Sequence, residues 1–235
     1  DDPEALIYDE TNAEVYVVNT DDNTVSVIDT NTNEVVTTIE VGLEPNNIVH
    51  DPDNGEIYVT NGGSESVTVI NDSSDTVIAT IAVGEDPVSV AYDPINGEIY
   101  VANNGSDTVT VINASTDEVI ETIQVGSEPT VIVADTNNKE IFVAAHSDNE
   151  TATSAELYVI NGSDNEIIDT IPVEVETVDS ATFDPETNEI IIASSEEHVI
   201  GVIDGATHII EETVVIDVEP TAVTYDASTN TIEVA

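Results

Sequence analysis

The sequence predicts an all-β fold, a β-propeller of four-stranded antiparallel blades, and three observations support this prediction. A marker position, usually a proline after an acidic residue, recurs every 42 residues over the first half of the chain, and repeats of about 40 residues are typical of propellers. Apolar and polar residues alternate within each repeat, as in half-buried strands. Clusters of Asn, Asp, Gly, Ser and Pro interrupt the alternation, which predicts four short strands per repeat.

The repeats follow from the marker positions. These positions, separated by 42, 42, 42, 48 and 43 residues, are Pro3, Pro45, Pro87, Pro129, Thr177 and Pro220. We expect one propeller domain over residues 1–235, with five complete repeats and a half repeat, and therefore about six blades. The predicted repeats are 3–44, 45–86, 87–128, 129–176, 177–219 and the partial repeat 220–235.

The second repeat shows the elements in order. Strand A begins at 48–50, and strands B, C and D are predicted at 56–61, 66–70 and 76–83. Asn54 and Gly55, between strands A and B, provide the positive φ angles of a tight hairpin turn. No segment has the 3.6-residue period of a helix, so a helical solenoid is excluded.

The charge of the chain is extreme. Asp and Glu number 50 against one Lys, Lys139, so the net charge is −49 at pH 7. Nucleic acid is excluded as a partner, because phosphate binding requires clustered Lys or Arg, and an anionic lipid surface is disfavoured for the same reason. Because like charges repel, we expect cations at the acidic surface and a halophilic setting in which salt stabilises the fold.

Two other features of the composition concern membrane insertion and disulfide chemistry. No stretch approaches the roughly 18 to 20 apolar residues of a membrane span, so no direct membrane insertion is expected. The chain has no cysteine, so disulfides are absent and cysteine usage does not indicate a redox compartment.

Three strand B peptides resemble the YVTN signature of a family of β-propeller repeat proteins. They cover 15–19, 57–61 and 99–103, and Tyr58-Val59-Thr60-Asn61 matches the signature letter for letter. The resemblance spans the whole chain and implies a propeller of seven or fewer blades, common in archaeal surface-layer and other extracellular proteins. It implies a scaffold or binding module and no reaction. The equivalent peptides of the fourth and fifth repeats, 141–145 and 190–194, depart from the signature.

The predicted strands do not close a ring. The sixth repeat lacks strands C and D, whereas a closed propeller leaves no long edge exposed. We expect the chain to be a fragment of a longer protein whose later residues complete the blade. The alternative is strand donation from a neighbouring subunit, which would build a fibre or lattice.

The sequence contains no pattern that indicates an enzyme. There is no Gly-x-Ser-x-Gly elbow for serine hydrolysis and no arginine to clamp a phosphoryl group. The four histidines lack the His-x-x-x-His spacing of a zinc site; they are His50, His146, His198 and His208. We expect no catalytic, cofactor-binding or metal-binding residues.

The carboxylates are interpreted as surface groups. Equivalent glutamates start strand B in five repeats, whereas a catalytic pair should be unique, so we interpret them as solvated faces; they are Glu14, Glu56, Glu98, Glu140 and Glu189. The oxygen-rich turn 51–55 is a candidate Ca²⁺ site, although it lacks the further ligands of an EF-hand loop. Diffuse attraction of cations follows from the charge alone.

Five N-glycosylation sequons are candidate modification sites, each in a connection between strands B and C or C and D. They are Asn71, Asn104, Asn113, Asn149 and Asn161. The alternative is that Asn and Ser recur because tight turns favour them. The fourth repeat also has six extra residues in the connection 146–155, either a binding or assembly loop or a tolerated surface insertion.

These observations favour a non-enzymatic extracellular structural protein, a propeller glycoprotein of an archaeal surface layer, sheath or filament. Its partners would be copies of itself or other cell-surface proteins. The alternative is a ligand-binding or adhesion module that recognises a glycan or a protein. A second alternative is a propeller enzyme with a central-channel site, where strand A contributes His50, Asp179 and Tyr225.

Overall fold

The computed structural model describes residues 2–147 and 154–235. These residues form 22 β-strands and two short 3-10 turns, Gly62–Ser64 and Asn104–Ser106, and no α-helix. The predicted all-β fold of four-stranded antiparallel sheets is confirmed: five such sheets and one two-stranded sheet follow each other along the chain. In each sheet every strand pairs with the next one in sequence, so each repeat is a simple meander.

The chain divides into two compact units, residues 1–122 and 123–235. The first sheet contains β1 (Pro3–Asp9), β2 (Glu14–Asn19), β3 (Thr24–Asp29) and β4 (Glu34–Glu40). The second contains β5 (Pro45–Asp51), β6 (Glu56–Asn61), β7 (Ser66–Asn71) and β8 (Thr76–Ala82). The third contains β9 (Pro87–Asp93), β10 (Glu98–Asn103), β11 (Thr108–Asn113) and β12 (Glu118–Gln124).

The later part of the chain repeats this order. The fourth sheet contains β13 (Ser127–Asp135), β14 (Glu140–His146), β15 (Ala155–Asn161) and β16 (Ile167–Pro172). The fifth contains β17 (Ser180–Asp184), β18 (Glu189–Ser194), β19 (Val199–Asp204) and β20 (Ile210–Val215). The two-stranded sheet contains β21 (Val223–Asp226) and β22 (Thr231–Val234). The predicted insertion in 146–155 includes 148–153, which lie outside the described residues.

The cores of the first unit lie between neighbouring sheets. Tyr16 and Val18 of the first sheet pack with Ile48, Ile57 and Val59 of the second, and a second cluster joins the second and third sheets in the same way. Strands β6 and β10 are buried on both faces, which explains their near-continuous apolar sequences. Full burial of one such side chain stabilises the fold by about 1.5–3 kcal/mol.

The second unit has equivalent cores. Phe142 and Leu157 of the fourth sheet pack with Ile190 and Ile203 of the fifth. A smaller cluster holds Val223 of the two-stranded sheet against the fifth sheet.

The asparagine at the end of strand B fastens the B–C turn. The side-chain amide of Asn61 is fully buried and donates to the carbonyl of Ser66 (3.1 Å) and to the hydroxyl of Thr68 (3.0 Å). Asn103 makes the same contacts one repeat later, to Thr108 (3.2 Å) and Thr110 (2.9 Å). The last letter of the Tyr-x-x-Asn pattern therefore has a structural role.

Left-handed backbone recurs at the same turn positions in successive repeats. In the A–B turns Gly55 (φ 69°) and Gly97 (φ 66°) occupy the position that Ala13 (φ 56°) and Lys139 (φ 62°) hold elsewhere. In the C–D turns the equivalent residues are Asn33, Asp75, Asp117, Asn165 and His208. Asn and Asp tolerate this conformation better than other non-glycine residues. This explains why they recur in the turns between the strands.

Candidate interaction surface

The fourth strand of each sheet lies at a sheet edge, and we call β4, β8, β12, β16 and β20 the outer strands. Within each unit the first strands of neighbouring sheets contact each other, as β1 contacts β5 and β13 contacts β17. Each outer strand exposes two large aliphatic side chains to solvent. These pairs are Val35 and Val36, Val77 and Ile78, Val119 and Ile120, Ile167 and Ile168, and Val214 and Val215.

A β-bulge interrupts the outer strands. In β8, Ile70 pairs with Val77 and Val69 pairs with Ala79, so Ile78 has no partner in the ladder. Val36 and Ile168 occupy the same bulged position in β4 and β16. Because a bulge disrupts the ladder and twists the strand, it makes the edge a poor template for continuous strand pairing. The exposed aliphatic pairs are thus better placed for side-chain packing than for strand addition.

Two equivalent grooves lie beside the outer strands of the first unit. One has a volume of about 490 Å³ and is lined by Gly42, Ser64, Thr68, Val77 and Thr80 together with neighbouring residues. The other, of about 320 Å³, has the equivalent lining one repeat later, including Gly84, Ser106, Thr110, Val119 and Thr122. A Cβ on Gly42 would lie 2.4 Å from the Ser64 hydroxyl oxygen. A larger residue at position 42 would therefore clash with the turn Gly62–Ser64.

The strand B glutamates are not simply solvated, and that sequence interpretation is wrong. The hydroxyl of Tyr58 donates to the Glu56 carboxylate (2.9 Å) and lies 3.0 Å from the Asp117 carboxylate of the neighbouring sheet. Tyr16 joins Glu14 and Asp75 in the same way one repeat earlier, at 3.3 and 2.7 Å. Glu14 and Glu56 are half-buried at these contacts between sheets.

These contacts change the acidity of the groups involved. Burial raises the pKa of Glu56, and the nearby charge of Asp117 raises it further, whereas the hydrogen bond from Tyr58 opposes the shift. Burial also raises the pKa of Asp117. The pKa of Tyr58 is raised by burial and by its bond to Glu56, so its hydroxyl stays a donor at neutral pH.

In the second unit, hydrogen bonds of a histidine take the place of the tyrosine bonds to the glutamate and the aspartate. His208 Nε2 lies 2.9 Å from the Glu140 carboxylate and Nδ1 lies 2.8 Å from the Asp169 carboxylate. Burial alone lowers the pKa of His208, but the two carboxylates raise it overall, and the bond to His208 lowers the pKa of Asp169. Both ring nitrogens face carboxylate acceptors, an arrangement that favours the protonated imidazole.

The described sequons begin in or beside turns that use the asparagine as a hydrogen-bond acceptor. Asn71 accepts from the Ser74 amide (3.1 Å), Asn113 from Ser115 (3.0 Å) and Asn161 from Ser163 (2.8 Å). Asp29 makes the same turn bond to Asn31 (2.7 Å) in a repeat without a sequon. Asn104 starts a 3-10 turn, and Asn149 lies outside the described residues. Glycosylation of these sites remains a prediction.

The other candidate residues make separate contacts. His146 and His198 are partly exposed and lie 3.7 and 3.9 Å from glutamates. Asp179 accepts from the Ser195 amide (2.6 Å), and Tyr225 donates to Asn230 (3.0 Å). Within 2–147 and 154–235, two groups bring three possible metal ligands within 4.8 Å of one another: Asp9, His50 and Asp72, which are largely buried, and the more exposed Glu176, Glu196 and Glu197.

No family model and no curated protein sequence matches the chain. Its fold is widely shared. Among solved structures 1561 chains match it, and one is the hydrazine synthase of Kuenenia stuttgartiensis, with a TM-score of 0.71 and 14% identity over 99% of this chain and 95% of that chain. At this identity the likeness shows the fold alone, because one fold supports many unrelated functions. No helix of the described residues is long and apolar enough to cross a membrane.

Sequence reasoning missed two features of this surface. Alternation predicted the outer strands but not which of their side chains stay exposed, because an outer strand and a buried strand have similar apolar content. The Glu140, Asp169 and His208 contact joins residues up to 68 positions apart. Its traces in the sequence are that His208 replaces the Asn or Asp of the other C–D turns and that Phe142 replaces the tyrosine of the first three repeats.

Proposed function

We propose that this chain is a non-enzymatic structural protein of the cell surface whose copies associate through the outer strands. The observation that carries the proposal is the pair of exposed aliphatic side chains on each of the five outer strands. Apolar surface removed from water stabilises association by roughly 25 cal/mol per Å². The first four outer strands carry their pair at the same positions, which supplies several equivalent contacts per chain, as a lattice or filament requires. In β20 the pair Val214 and Val215 lies at the opposite end of the strand.

A second copy fits these strands because the same patch is present on every copy, so two outer strands can pack against each other. The obstacle is electrostatic, since each copy has a net charge of −49. Salt removes this obstacle, because the Debye length falls from about 10 Å at 0.1 M to about 3 Å at 1 M. Association should therefore require high salt or bound cations.

The proposed propeller type, cellular setting and glycosylation rest on the sequence. The regular repeats and the four-stranded sheets support a β-propeller of about six blades, of the YVTN type. The acidity supports a halophilic, extracellular setting such as an archaeal surface layer, sheath or filament, and the sequons support a glycoprotein.

The two equivalent grooves favour a second candidate function, a module that binds a repeating, neutral ligand such as a glycan. Their linings offer hydroxyl groups at the same spacing in successive repeats. A repeating saccharide could occupy both grooves, which would increase the affinity without any new contact.

Sedimentation velocity in about 0.1 M and about 1 M NaCl, conditions that differ threefold in Debye length, tests the first proposal. The wild-type chain should be monomeric at low salt and associated at high salt. The double variant Ile78→Thr, Ile120→Thr should weaken this association. Ile95→Thr is the matched control, because Ile95 is as exposed as Ile78, 48% for both side chains, but lies in an A–B turn.

Two results would overturn self-association through the outer strands: a monomer under both conditions, or equal loss of association in the double variant and the control. A glycan array at low salt tests the second function independently. Binding that is lost in Thr80→Val, which changes an exposed residue of the groove lining, would support the groove, whereas the absence of binding would exclude it.

A further inference from the structure

Three possible metal ligands converge where the first and second sheets meet. Asp9 ends β1, His50 lies in β5 and Asp72 directly follows β7. His50 Nε2 lies 3.1 Å from Asp72 Oδ2, and one ligand atom from each of the three residues lies within 4.8 Å of the others. Ligands that share one tetrahedral ion at bonds of about 2.0–2.2 Å lie roughly 3.3–3.6 Å apart, close to the separation of His50 and Asp72.

The two carboxylates are buried in a region without permanent positive charge. Asp9 is 0% exposed and Asp72 is 6% exposed. Residues 1–122 contain neither Lys nor Arg, and His50 is the only side chain among them that can carry a positive charge. Buried carboxylates at this separation are costly unless a cation or a proton offsets their charges.

Surrounding groups hold the ligands in place. The Asn12 amide donates to Asp9 Oδ2 (2.7 Å) and to the Asp72 carbonyl oxygen (3.1 Å), which also accepts from the Tyr16 hydroxyl (3.1 Å). The Ser73 hydroxyl donates to Asp72 Oδ1 at 3.1 Å. Such outer partners orient the ligands of metal sites.

Comparison of the repeats shows that this combination is unique in the chain. Asp9 recurs as a buried turn residue at Asp51, Asp93, Asp135 and Asp184. The position of His50 is held in other repeats by Tyr8, Tyr92, Ala134, Phe183 and Tyr225. The position of Asp72 is held by Thr30, Ala114, Gly162 and Gly205. Only the second repeat therefore places an imidazole and another carboxylate beside the recurring aspartate of the preceding repeat, which here is Asp9.

We propose that Asp9, His50 and Asp72 bind one divalent transition-metal ion, with Zn²⁺ as the best fit. Imidazole nitrogen with carboxylate oxygen suits Zn²⁺, whereas Ca²⁺ takes six to eight oxygen ligands. Three protein ligands leave a fourth tetrahedral position for water or another ligand. The ion would join the first sheet to the second, independently of how copies of the chain associate.

The test uses the full chain, freed of metal by a chelator and titrated with Zn²⁺ alone in about 1 M NaCl, where the Debye length is about 3 Å and diffuse binding to the acidic surface is screened. Calorimetry should show one tight equivalent of Zn²⁺ that Ca²⁺ does not displace. Zn²⁺ at 100 times its Kd should also stabilise the fold, which thermal unfolding would detect. X-ray absorption should show one imidazole ligand.

The variants copy residues that the chain already uses at the equivalent positions, so they should fold. His50→Tyr copies Tyr92 and Asp72→Ala copies Ala114, and each should lower the Zn²⁺ affinity at least tenfold. His198→Ala, which removes a partly exposed histidine 3.9 Å from Glu219, should leave it unchanged. The proposal fails if the wild type binds no stoichiometric Zn²⁺, or if His50→Tyr and His198→Ala bind it equally.

Discussion

The imidazole of His208 meets the ring of Phe142 edge-on, with the centroids 5.8 Å apart and an interplanar angle of 82°. In the first unit the equivalent pairs are Tyr16 with Asp75 and Tyr58 with Asp117, where a hydroxyl meets a carboxylate. In the second unit Phe142 stands where the first unit has a tyrosine, and His208 stands where the first unit has an aspartate. The histidine takes over the contact to the strand B glutamate.

A set of substitutions tests this exchange. His208→Asp should destabilise the fold by about 2 kcal/mol, because the hydrogen bonds to charged partners are lost and carboxylates face each other. The triple variant Phe142→Tyr, Asp169→Ala, His208→Asp copies Tyr58, Ala79 and Asp117 and should recover at least about 1 kcal/mol. Urea unfolding measures both. A triple variant less stable than His208→Asp would contradict the equivalence of the two contacts.

The His208 contact should also make stability depend on pH. The folded pKa of His208 is raised above 6.5, so its contribution is complete below that pH and is lost as the pH rises through the folded value. The folded pKa of Asp169 is lowered below 3.8, so its contribution is present above that pH and is lost on further acidification.

The stability difference between wild type and His208→Gln should therefore be largest near pH 5 to 6 and shrink toward pH 9, since linkage follows these two shifts. Unfolding free energies at several pH values measure it. A difference that does not change with pH would show that His208 is not held as a cation. His146→Gln, with its longer separation of 3.7 Å from Glu128, is the control and should show a much weaker dependence.

Removal of the Tyr58 hydroxyl should cost about 1–2 kcal/mol, because Glu56 and Asp117 lose the donor between them. The pKa values of both carboxyl groups are raised in the folded state. The stability that these carboxyl groups contribute is complete at acidic pH and is lost as the pH rises through the folded values. The hydrogen bond from Tyr58 lowers both pKa values and so limits this loss. The cost of Tyr58→Phe should therefore be larger at pH 7 than at pH 4, as chemical denaturation would show. An equal cost at both pH values would exclude this role.

The A–B turns allow a test of left-handed backbone without steric change. A Cβ added to Gly97 meets nothing within 4 Å, so Gly97→Ala should cost about 1–2 kcal/mol through φ strain alone. Ala13, with φ 56°, should gain a similar amount on replacement by Gly, reduced by the entropy of the unfolded glycine. Thermal unfolding measures both. Destabilisation by Ala13→Gly would contradict the structural equivalence of the two turns.

Local patterns in the sequence predicted much of the fold. Alternation and Asn-Gly turns, which are signals within a few residues, placed the strands, and the 42-residue spacing placed the repeats. The Tyr58 bridge to Asp117 and the convergence of Asp9 with His50 and Asp72 could not be predicted, because they join residues 41 to 63 positions apart across different sheets. The glutamates of strand B were misinterpreted for the same reason. Their repetition does not distinguish a solvated group from one that bonds to the next sheet.

The most direct test of the proposed self-association uses the absence of cysteine from the chain. Ile78→Cys and Ile95→Cys place one thiol each at equally exposed positions, one on an outer strand and one in a turn. The measurement is the yield of disulfide-linked dimer under mild oxidation in about 1 M NaCl, where charge repulsion is screened. We expect an efficient cross-link at position 78 that falls at low salt, and little at position 95. Equal yields at the two positions, or none at position 78 under conditions where the chain associates, would contradict association through the outer strands.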